Sequence, residues 1–259
     1  MSTLYPTNSA VPIYSIRKIT QTLHDSISRV ATGLKVLGGN DASSHSMGNT
    51  LIAHSKSFKA AENNTQQGIE LLELAESALL ELNALANRLK ELGVADTLST
   101  NTTNDTAALN AEASAVSDTI DSIVSSLTFN SLNVLGTSAQ TFNIGINDAG
   151  DTQTVKSTVG ITATNITDAT NSNNSADTSL GEITQSLGNV SGGLTALQAY
   201  QNVASSSSAN LLEAASNLQD TDFAAETAKI AKQSLLKNYA LAMVAHANNE
   251  EIEKLKLLA

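Results

Sequence analysis

Residues 13–37 read IYSIRKITQTLHDSISRVATGLKVL, and their apolar side chains recur mostly three or four residues apart. This spacing places them on one stripe of an α-helix, in the heptad pattern of a coiled coil. Thr20 fills one position of the stripe, whose apolar members are Ile16, Leu23, Ile27, Val30, Leu34 and Leu37. The stripe predicts a helix that packs against a partner helix and stops at Gly38-Gly39-Asn40-Asp41, where two glycines lower helix propensity.

Four more segments have helical periodicity. We predict a long helix from about Ser46 to Leu92, a shorter helix over residues 109–127 and another over residues 194–218. Asp220-Thr221-Asp222 can begin a last helix, which runs to Ala259 and is apolar on several sides. A helix that is apolar all round is either buried or in contact with other molecules.

The segment 130–189 is rich in Thr, Asn, Ser, Asp and Gly. Residues 142–146 alternate apolar and polar side chains, residues 147–151 are turn formers, and residues 154–159 follow. This order predicts a β-hairpin. A polar loop is predicted after it, over residues 166–178. The fold class is therefore mainly α: a long antiparallel helical bundle or coiled coil from the N- and C-terminal segments, with a small β-hairpin excursion in the middle.

Composition excludes several classes of function. The formal net charge is -11, and residues 91–228 carry fifteen acidic side chains against one basic residue, Lys156, which argues against nucleic-acid binding. Apolar residues make up 41% of the chain but aromatic residues only 3%, unlike the walls of ligand pockets. No stretch approaches 18 consecutive apolar residues, and residues 1–15 do not form a signal peptide, so neither a membrane span nor a signal sequence is expected.

No pattern typical of catalysis is present in the sequence. The four histidines, which have no metal-ligand spacing, are His24, His45, His54 and His246, and cysteine is absent. No phosphate-binding glycine loop follows a strand, and no Gly-x-Ser-x-Gly motif occurs. We expect no enzymatic activity, no catalytic residue, no cofactor and no metal.

Four stretches match motifs of one known family, in the family's order. Residues 28–36, SRVATGLKV, are similar to Arg-Leu-Ser-Ser-Gly-Leu-Arg-Ile, and Asn40-Asp41-Ala42 is similar to Asp-Asp-Ala-Ala-Gly. Residues 87–92 are similar to the end of the family's second conserved helix, and Thr128-Phe129-Asn130 to the Thr-x-Phe-Asn that closes the third. The most specific match is residues 216–228, SNLQDTDFAAETA. Over residues 15–135 and 190–248, the sequence resembles bacterial flagellin.

The resemblance implies a structural subunit, in a short form without large outer domains, that polymerises into the helical flagellar filament used for swimming. It implies a terminal inner coiled-coil domain from residues 1–40 and 229–259 and a helical rod domain from residues 41–135 and 190–228. Residues 136–189 would form the β-hairpin and a polar surface loop. The protein would be secreted unfolded through the flagellar export channel and would lie outside the cell in the bacterial flagellum.

The resemblance and the apolar stripes of the predicted helices together predict two sets of packing residues. Subunit packing is assigned to Ile16, Leu23, Ile27, Val30, Leu34, Leu37, Phe223, Ile230, Leu235, Leu241 and Val244. Rod-domain packing is assigned to Arg29, Asn40, Asp41, Arg88, Leu89, Glu91, Leu92, Phe129, Asn130, Asn217, Leu218, Asp220 and Asp222. Asn165 and Asn189 each lie in an Asn-x-Ser/Thr triplet and are candidate glycosylation sites.

The expected partners follow from the same resemblance. They are further copies of the chain, the flagellar export apparatus, a flagellin chaperone, and the filament cap and hook-junction proteins. Arg88, Leu89 and Glu91 lie in the block that animal innate-immune receptors bind in some flagellins, so such a receptor is a further candidate partner. Three other functions remain open at this point: a hook-filament junction protein of the same family, a secreted adhesin-like module that displays the Thr- and Asn-rich middle and, last, an enzyme.

Overall fold

A computed structural model describes residues 7–35, 42–162 and 168–257. The elements in chain order are α1 (Thr7–Thr32), α2 (Ala42–Asp96), α3 (Thr103–Ser126), β1 (Thr128–Phe129), β2 (Leu132–Asn133), β3 (Gln140–Gly145), β4 (Thr152–Thr158), α4 (Ala169–Gln219) and α5 (Phe223–Leu257). The predicted mainly α fold with a small β excursion is confirmed. Within the described ranges, no helix combines the length and apolar character needed to cross a membrane.

The chain divides into two compact units. Unit 1 comprises Met1–Ala53 and Asn210–Ala259, and unit 2 comprises His54–Ala209. Unit 2 thus includes the hairpin segment together with helical residues around it. The three-domain division implied by the family resemblance stays a prediction.

The core of unit 2 follows heptads on α2 and α4. On α2 one row of buried positions alternates in spacing between four and three: Ala61, Thr65, Gly68, Leu72, Ala75, Leu79, Leu82, Ala86, Leu89 and Gly93. Ile69, Leu71 and Leu92 are buried beside this row. On α4 a row of buried positions alternates between three and four: Ala169, Ser172, Ala176, Ser179, Ile183, Ser186, Val190, Gly193 and Leu197. This mean spacing of 3.5 residues is the coiled-coil repeat.

Small residues of one helix oppose large residues of the other. A Cβ atom added to Gly193 would lie 2.9 Å from Cδ1 of Leu72, and one added to Gly68 would lie 2.9 Å from Cδ1 of Leu197. Because protein interiors are close-packed, each glycine here makes room for the facing leucine. The two helices also exchange hydrogen bonds, since Oγ of Ser55 donates to the carbonyl of Ser208 at 2.8 Å and Oγ of Ser208 donates to the carbonyl of Ser55 at 3.0 Å.

The predicted hairpin is formed by the antiparallel strands β3 and β4, with Phe142 opposite Val155. Val155 is buried, and Phe142 packs against the same core. A second hairpin, β1–β2, lies just after α3 and was not predicted. Its turn residues, Asn130 and Ser131, have φ values of 47° and 65°. Two consecutive positive φ values are typical of the type I′ turn that closes a two-residue hairpin.

The polar loop predicted over residues 166–178 is wrong from Ala169 onward, because α4 begins there. Asp168 precedes the helix, and its Oδ1 accepts a hydrogen bond from the backbone N–H of Asn171 at 2.9 Å. The polar composition reflects the exposed faces of the first turns, while the small side chains Ala169, Ser172 and Ala176 are buried. Small buried residues give a weaker periodic signal than leucine, so composition alone indicated a loop.

Candidate subunit interface

The helices α1 and α5 pack against each other in unit 1. Among their described side chains, only Ser26 on α1 and Glu226 on α5 are buried. Both are polar. The pair therefore has no buried apolar side chain in the described part of either helix, in contrast to the leucine-rich core of unit 2.

The seam between the two helices is mixed in chemistry. On α5 the less exposed positions alternate in spacing between four and three: Glu226, Ile230, Gln233, Lys237, Ala240, Val244 and Ala247. On α1 the less exposed positions include Ile16, Ile19, Leu23, Ser26 and Val30. This is a coiled-coil seam, but several of its positions hold polar or small residues, which contribute little apolar burial.

Large apolar side chains of α1 and α5 lie outside this seam. Those at least two-fifths exposed are Ile13, Tyr14, Ile27, Phe223, Leu235, Leu236, Tyr239, Leu241, Met243 and Ile252. Tyr14 and Tyr239 are each 71% exposed, and Leu235 is 61% exposed. Several large apolar side chains exposed on one pair of helices indicate a site of contact with another molecule.

The residues assigned to subunit packing occupy two environments. Half-buried positions are held by Ile16, Leu23, Val30, Leu34, Ile230 and Val244. Exposed positions are held by Ile27, Phe223, Leu235 and Leu241. Leu37 lies outside the described residues.

The prediction that the first helix continues through Leu34 is wrong. The helix ends at Thr32, and Gly33 has a φ of +73°, with its N–H donating to the carbonyl of Arg29 at 2.8 Å. This is the left-handed cap that glycine adopts without strain. Leu34 instead forms an antiparallel bridge with Asp220. The apolar spacing continues through the glycine, and for that reason the periodicity alone extended the helix.

Backbone hydrogen bonds join the segment after α1 to the segment before α5. The N–H of Thr221 donates to the carbonyl of Gly33 at 3.0 Å, and the N–H of Lys35 donates to the carbonyl of Gln219 at 2.7 Å. Asp222 caps α5, since its Oδ1 accepts from the N–H of Ala225 at 3.1 Å.

A charge cluster lies next to this bridge. Oε1 of the buried Glu226 accepts hydrogen bonds from Nζ of Lys229 at 2.7 Å and from Nη1 of Arg29 at 3.4 Å. The hydrogen bond from Lys229 holds the pKa of Glu226 below its usual value, helped by a hydrogen bond from Ser26 and by the positive charges of Lys229 and Arg29, while burial opposes them. Arg29 was assigned to packing from the sequence, whereas Ser26 and Glu226 were not.

Gln219 is a further buried polar residue that the sequence did not single out. Its Nε2 donates to the carbonyl of His45 and to Oδ1 of Asn49, both at 3.0 Å. The side chain lies against Gly48, where an added Cβ would be 2.4 Å from Nε2. A glycine inside a predicted helix was the available signal, because such a glycine often marks close packing.

The residues assigned to the rod domain are distributed between core and surface. Leu89 and Leu92 are buried, and Phe129 packs against the core of unit 2. Of the other described members, Arg29 and Leu218 are half-buried. The exposed members are Arg88, Glu91, Asn130, Asn217, Asp220 and Asp222. Asp220 accepts a hydrogen bond from Oγ of Ser216. Asn40 and Asp41 lie outside the described residues.

Arg88 joins α2 to α3 on the surface of unit 2. Its Nε and Nη2 donate to Oε1 of Glu112 at 2.8 and 2.6 Å, and its Nη1 donates to Oε2 of Glu91 at 3.0 Å. The hydrogen bonds to Glu112 and then to Glu91 raise the pKa of Arg88 above its usual value. Arg88 and Glu91 are thus exposed beside the buried Leu89.

The two candidate glycosylation sites lie in different parts of the chain. Asn189 is half-buried on α4, and Asn165 lies outside the described residues. Within the part of the chain that the structure describes, no group of three or more His, Asp or Glu side chains could hold a metal ion. The arrangement as a whole offers contact surface, in the form of two helices with their largest apolar side chains facing away from their shared seam.

A family model and several known proteins are similar in sequence to this chain. The family model of the bacterial flagellin N-terminal helical region matches residues 2–141, more than half of the chain. Flagellin of Halalkalibacterium halodurans is 29% identical, over 89% of this chain and 89% of its own length. Flagellin FlaB2 of Treponema pallidum is 26% identical, over 92% of each chain, and flagellin of Bacillus subtilis is 28% identical, over 89% of this chain and 90% of its own. The chain therefore belongs to the flagellin family.

Proposed function

We propose that this chain is a structural subunit that polymerises into the helical bacterial flagellar filament used for swimming. One observation carries the proposal. The helices α1 and α5 bury only Ser26 and Glu226 among their described side chains, yet leave ten large apolar side chains exposed. Further copies of the chain would cover those side chains.

Burial between copies supplies the driving force for assembly. Each Leu or Ile that becomes fully buried contributes about 1.5–3 kcal/mol before the entropy of ordering is subtracted. The surface is heterologous, because α1 and α5 of one copy meet different faces of the next. Heterologous contacts whose rotation does not close build an open helix rather than a ring.

The assigned packing residues take distinct roles in this proposal. Ile27, Phe223, Leu235 and Leu241 contact other copies, because they are exposed on the pair. The half-buried members hold α1 against α5. The terminal segments, residues 1–40 and 229–259, form the inner domain, residues 41–135 and 190–228 form the rod, and residues 136–189 face outward.

The proposal includes other partners, which export the subunit and add it to the filament. The chain is exported by the flagellar export apparatus with the help of a flagellin chaperone, and it is added between the hook-junction proteins and the filament cap outside the cell. An animal innate-immune receptor that binds the block 88–91 would contact Arg88 and Glu91 but not the buried Leu89 in the folded chain. We assign the chain no catalytic role.

Seeded elongation tests the proposal. Purified chain added to filament fragments is expected to lengthen them into tubes visible by electron microscopy. Removal of residues 1–40 or of residues 229–259 is expected to stop elongation, while circular dichroism still detects the folded helices of unit 2. Elongation by both truncated chains would contradict the assignment of the terminal helices to the subunit interface.

A further inference from the structure

The seam between α1 and α5 repeats every seven residues, so it is compatible with more than one alignment. Glu226, Gln233 and Ala240 occupy equivalent seam positions on α5, one heptad apart. Sliding α5 along α1 by seven residues keeps the same face of each helix in the seam. A repeating apolar pattern alone therefore leaves the register of such a pair open, and polar seam residues commonly decide it.

A backbone bridge at one end of the pair contributes to the register without involving the seam. It consists of the hydrogen bonds from Thr221 to Gly33 and from Lys35 to Gln219. A slip of seven residues that carries Glu226 toward the start of α1 would bring residues 219–221 level with residues 26–28. The N–H and C=O groups of those residues are already paired within α1, so the bridge would have to open. The bridge therefore opposes this slip, but it involves no side chain of the seam.

Glu226 also discriminates between registers, because its side chain is buried and needs specific donors. In the observed register it lies at Arg29 and Ser26 of α1. One heptad along, Gln233 shares a groove with Lys18 and Ile19. A slip of seven residues would bring Glu226 to that groove, where the seam residue is Ile19 and the groove also holds Lys18 and Thr22. Arg29 and Ser26 would both be lost as donors.

A slip in the opposite direction is unfavourable for the same reason. It would carry Glu226 beyond Thr32, the last residue of α1, to the level of Gly33, which has no side chain to donate. In either slipped register Glu226 would keep Lys229, which lies on the same helix, but would lose both donors from α1. The loss of donors destabilises a buried carboxylate, whereas apolar seam residues tolerate exchange for one another.

We propose that Glu226, with Arg29 and Ser26, acts together with the backbone bridge to set the register in which α1 and α5 pair. This inference deepens the proposed function, because a helical polymer requires every copy to present the same surface. A slip of one heptad would displace Leu235 and Leu241 along α1 by about 10 Å, since each helical residue rises about 1.5 Å. A slipped copy would therefore present its apolar side chains at the wrong level for its neighbours.

The register can be measured as a distance between two spin labels. The chain has no cysteine, so Gln21→Cys on α1 and Ala245→Cys on α5, both exposed, give one label on each helix. Labelled chain is diluted into unlabelled chain, and distances are recorded by pulsed electron spin resonance, both free and after seeded elongation. The chain with Glu226 is expected to give a single distance.

Three substitutions in the labelled chain test the cluster. Glu226→Leu is expected to add a second distance, displaced by up to about 10 Å. The double variant Arg29→Leu with Glu226→Leu is expected to do the same while leaving no unpaired charge from Arg29 in the interface. Glu250→Leu is the matched control, since it makes the same change at an exposed carboxylate of the same helix, and is expected to keep one distance.

The outcomes separate clearly. A single, unshifted distance in both Leu variants, with normal helix content by circular dichroism, would overturn the proposal. If both Leu variants lose helix content, Glu226→Gln decides the matter, because it keeps the shape but not the charge: a second distance supports the proposal and a single distance overturns it. Failure of the unlabelled parent chain to elongate would count against the filament function, while the distances in the free chain still report the register.

Discussion

At the scale of single residues, Glu226 is the most informative side chain of the α1–α5 pair, although it adds little apolar area to the contact. The sequence places Glu226 in the first turn of α5, where an acidic residue is favoured by the helix dipole. Its burial comes from α1, nearly two hundred residues earlier in the chain, and no local pattern reports such a contact. Arg29 could be assigned from the family motif, but its partner could not.

The pKa of Glu226 makes the α1–α5 pair sensitive to acid. Because its pKa in the folded chain is below the usual value of 4.5, Glu226 contributes stability above that pH, and this contribution is lost as the pH falls through the lowered pKa. Glu226→Gln should therefore unfold at a lower temperature than the parent near pH 7, with the difference shrinking toward zero in acid. Thermal unfolding followed by circular dichroism between pH 3 and pH 7 measures this, with the exposed Glu250→Gln as control. A difference that stays constant over this range would contradict the assigned ion pairs.

Two aspartates of α3 should respond to substitution in opposite directions. Burial, with a smaller effect of Asp118, raises the pKa of Asp121. The contribution of Asp121 to stability is therefore fully present below pH 3.8 and is lost as the pH rises through the raised pKa. Near neutral pH the charged side chain weakens the fold. Hydrogen bonds with Thr102 lower the pKa of Asp105, which belongs to the capping box of the helix. At pH 7, Asp121→Asn should raise the unfolding temperature and Asp105→Asn should lower it. Calorimetry of both variants at pH 7 checks the signs, and a change of the same sign in both would refute this account.

At the scale of elements, prediction succeeds where large apolar side chains repeat. The expected start of the second helix, Ser46, and its expected end, Leu92, each lie four residues inside the observed helix α2. The hairpin β3–β4 is found because its strands alternate and its turn residues are distinctive. The start of α4 and the hairpin β1–β2 were missed for different reasons. The first buries small residues, and the second has strands of two residues, too short for any periodicity.

The junction after β4 depends on a glycine that no periodic pattern identifies. Gly160 has a φ of +102°, and a Cβ there would lie 2.8 Å from the carbonyl oxygen of Thr137. Gly160→Ala should destabilise unit 2 by about 2–4 kcal/mol, because conformational strain of about 1–2 kcal/mol adds to a backbone clash. Gly150→Ala is the matched control, since Gly150 also has a positive φ but nothing within 4 Å of the added atom. Urea unfolding should give a clearly lower free energy of unfolding for Gly160→Ala than for Gly150→Ala. Equal free energies would contradict the described contact.

At the scale of the whole molecule, the sequence predicts which apolar residues matter better than it predicts where they face. Ile27, Leu235 and Leu241 were all assigned to packing from their spacing. Periodicity cannot tell a side chain that faces the partner helix of the same copy from one that faces another copy, because both are apolar and both recur on a helix. The structure separates them, since the seam contains Ile230, Gln233 and Val244 and leaves these three exposed.

Removal of exposed leucines should weaken assembly without weakening the fold. Leu235 and Leu241 are 61% and 48% exposed, so changing both to Ser should leave the unfolding temperature of the free chain almost unchanged. The loss of about 1.5–3 kcal/mol of burial for each leucine should slow seeded elongation by more than tenfold. Leu80→Ser is the matched control, because Leu80 on α2 is 55% exposed but belongs to neither terminal helix. Elongation at the parent rate by the double variant would exclude these two residues from the interface.

The scarcity of buried side chains on α1 and α5 also affects how such a polymer would lose subunits and break. If neighbouring copies complete each other's cores as proposed, a copy in the interior is enclosed on both sides, while a copy at an end lacks half of its cover. Interior copies then cannot exchange with chains in solution, and material is lost only from exposed ends. Shear would break the fibre into shorter lengths, each still intact along its length and each able to seed new growth.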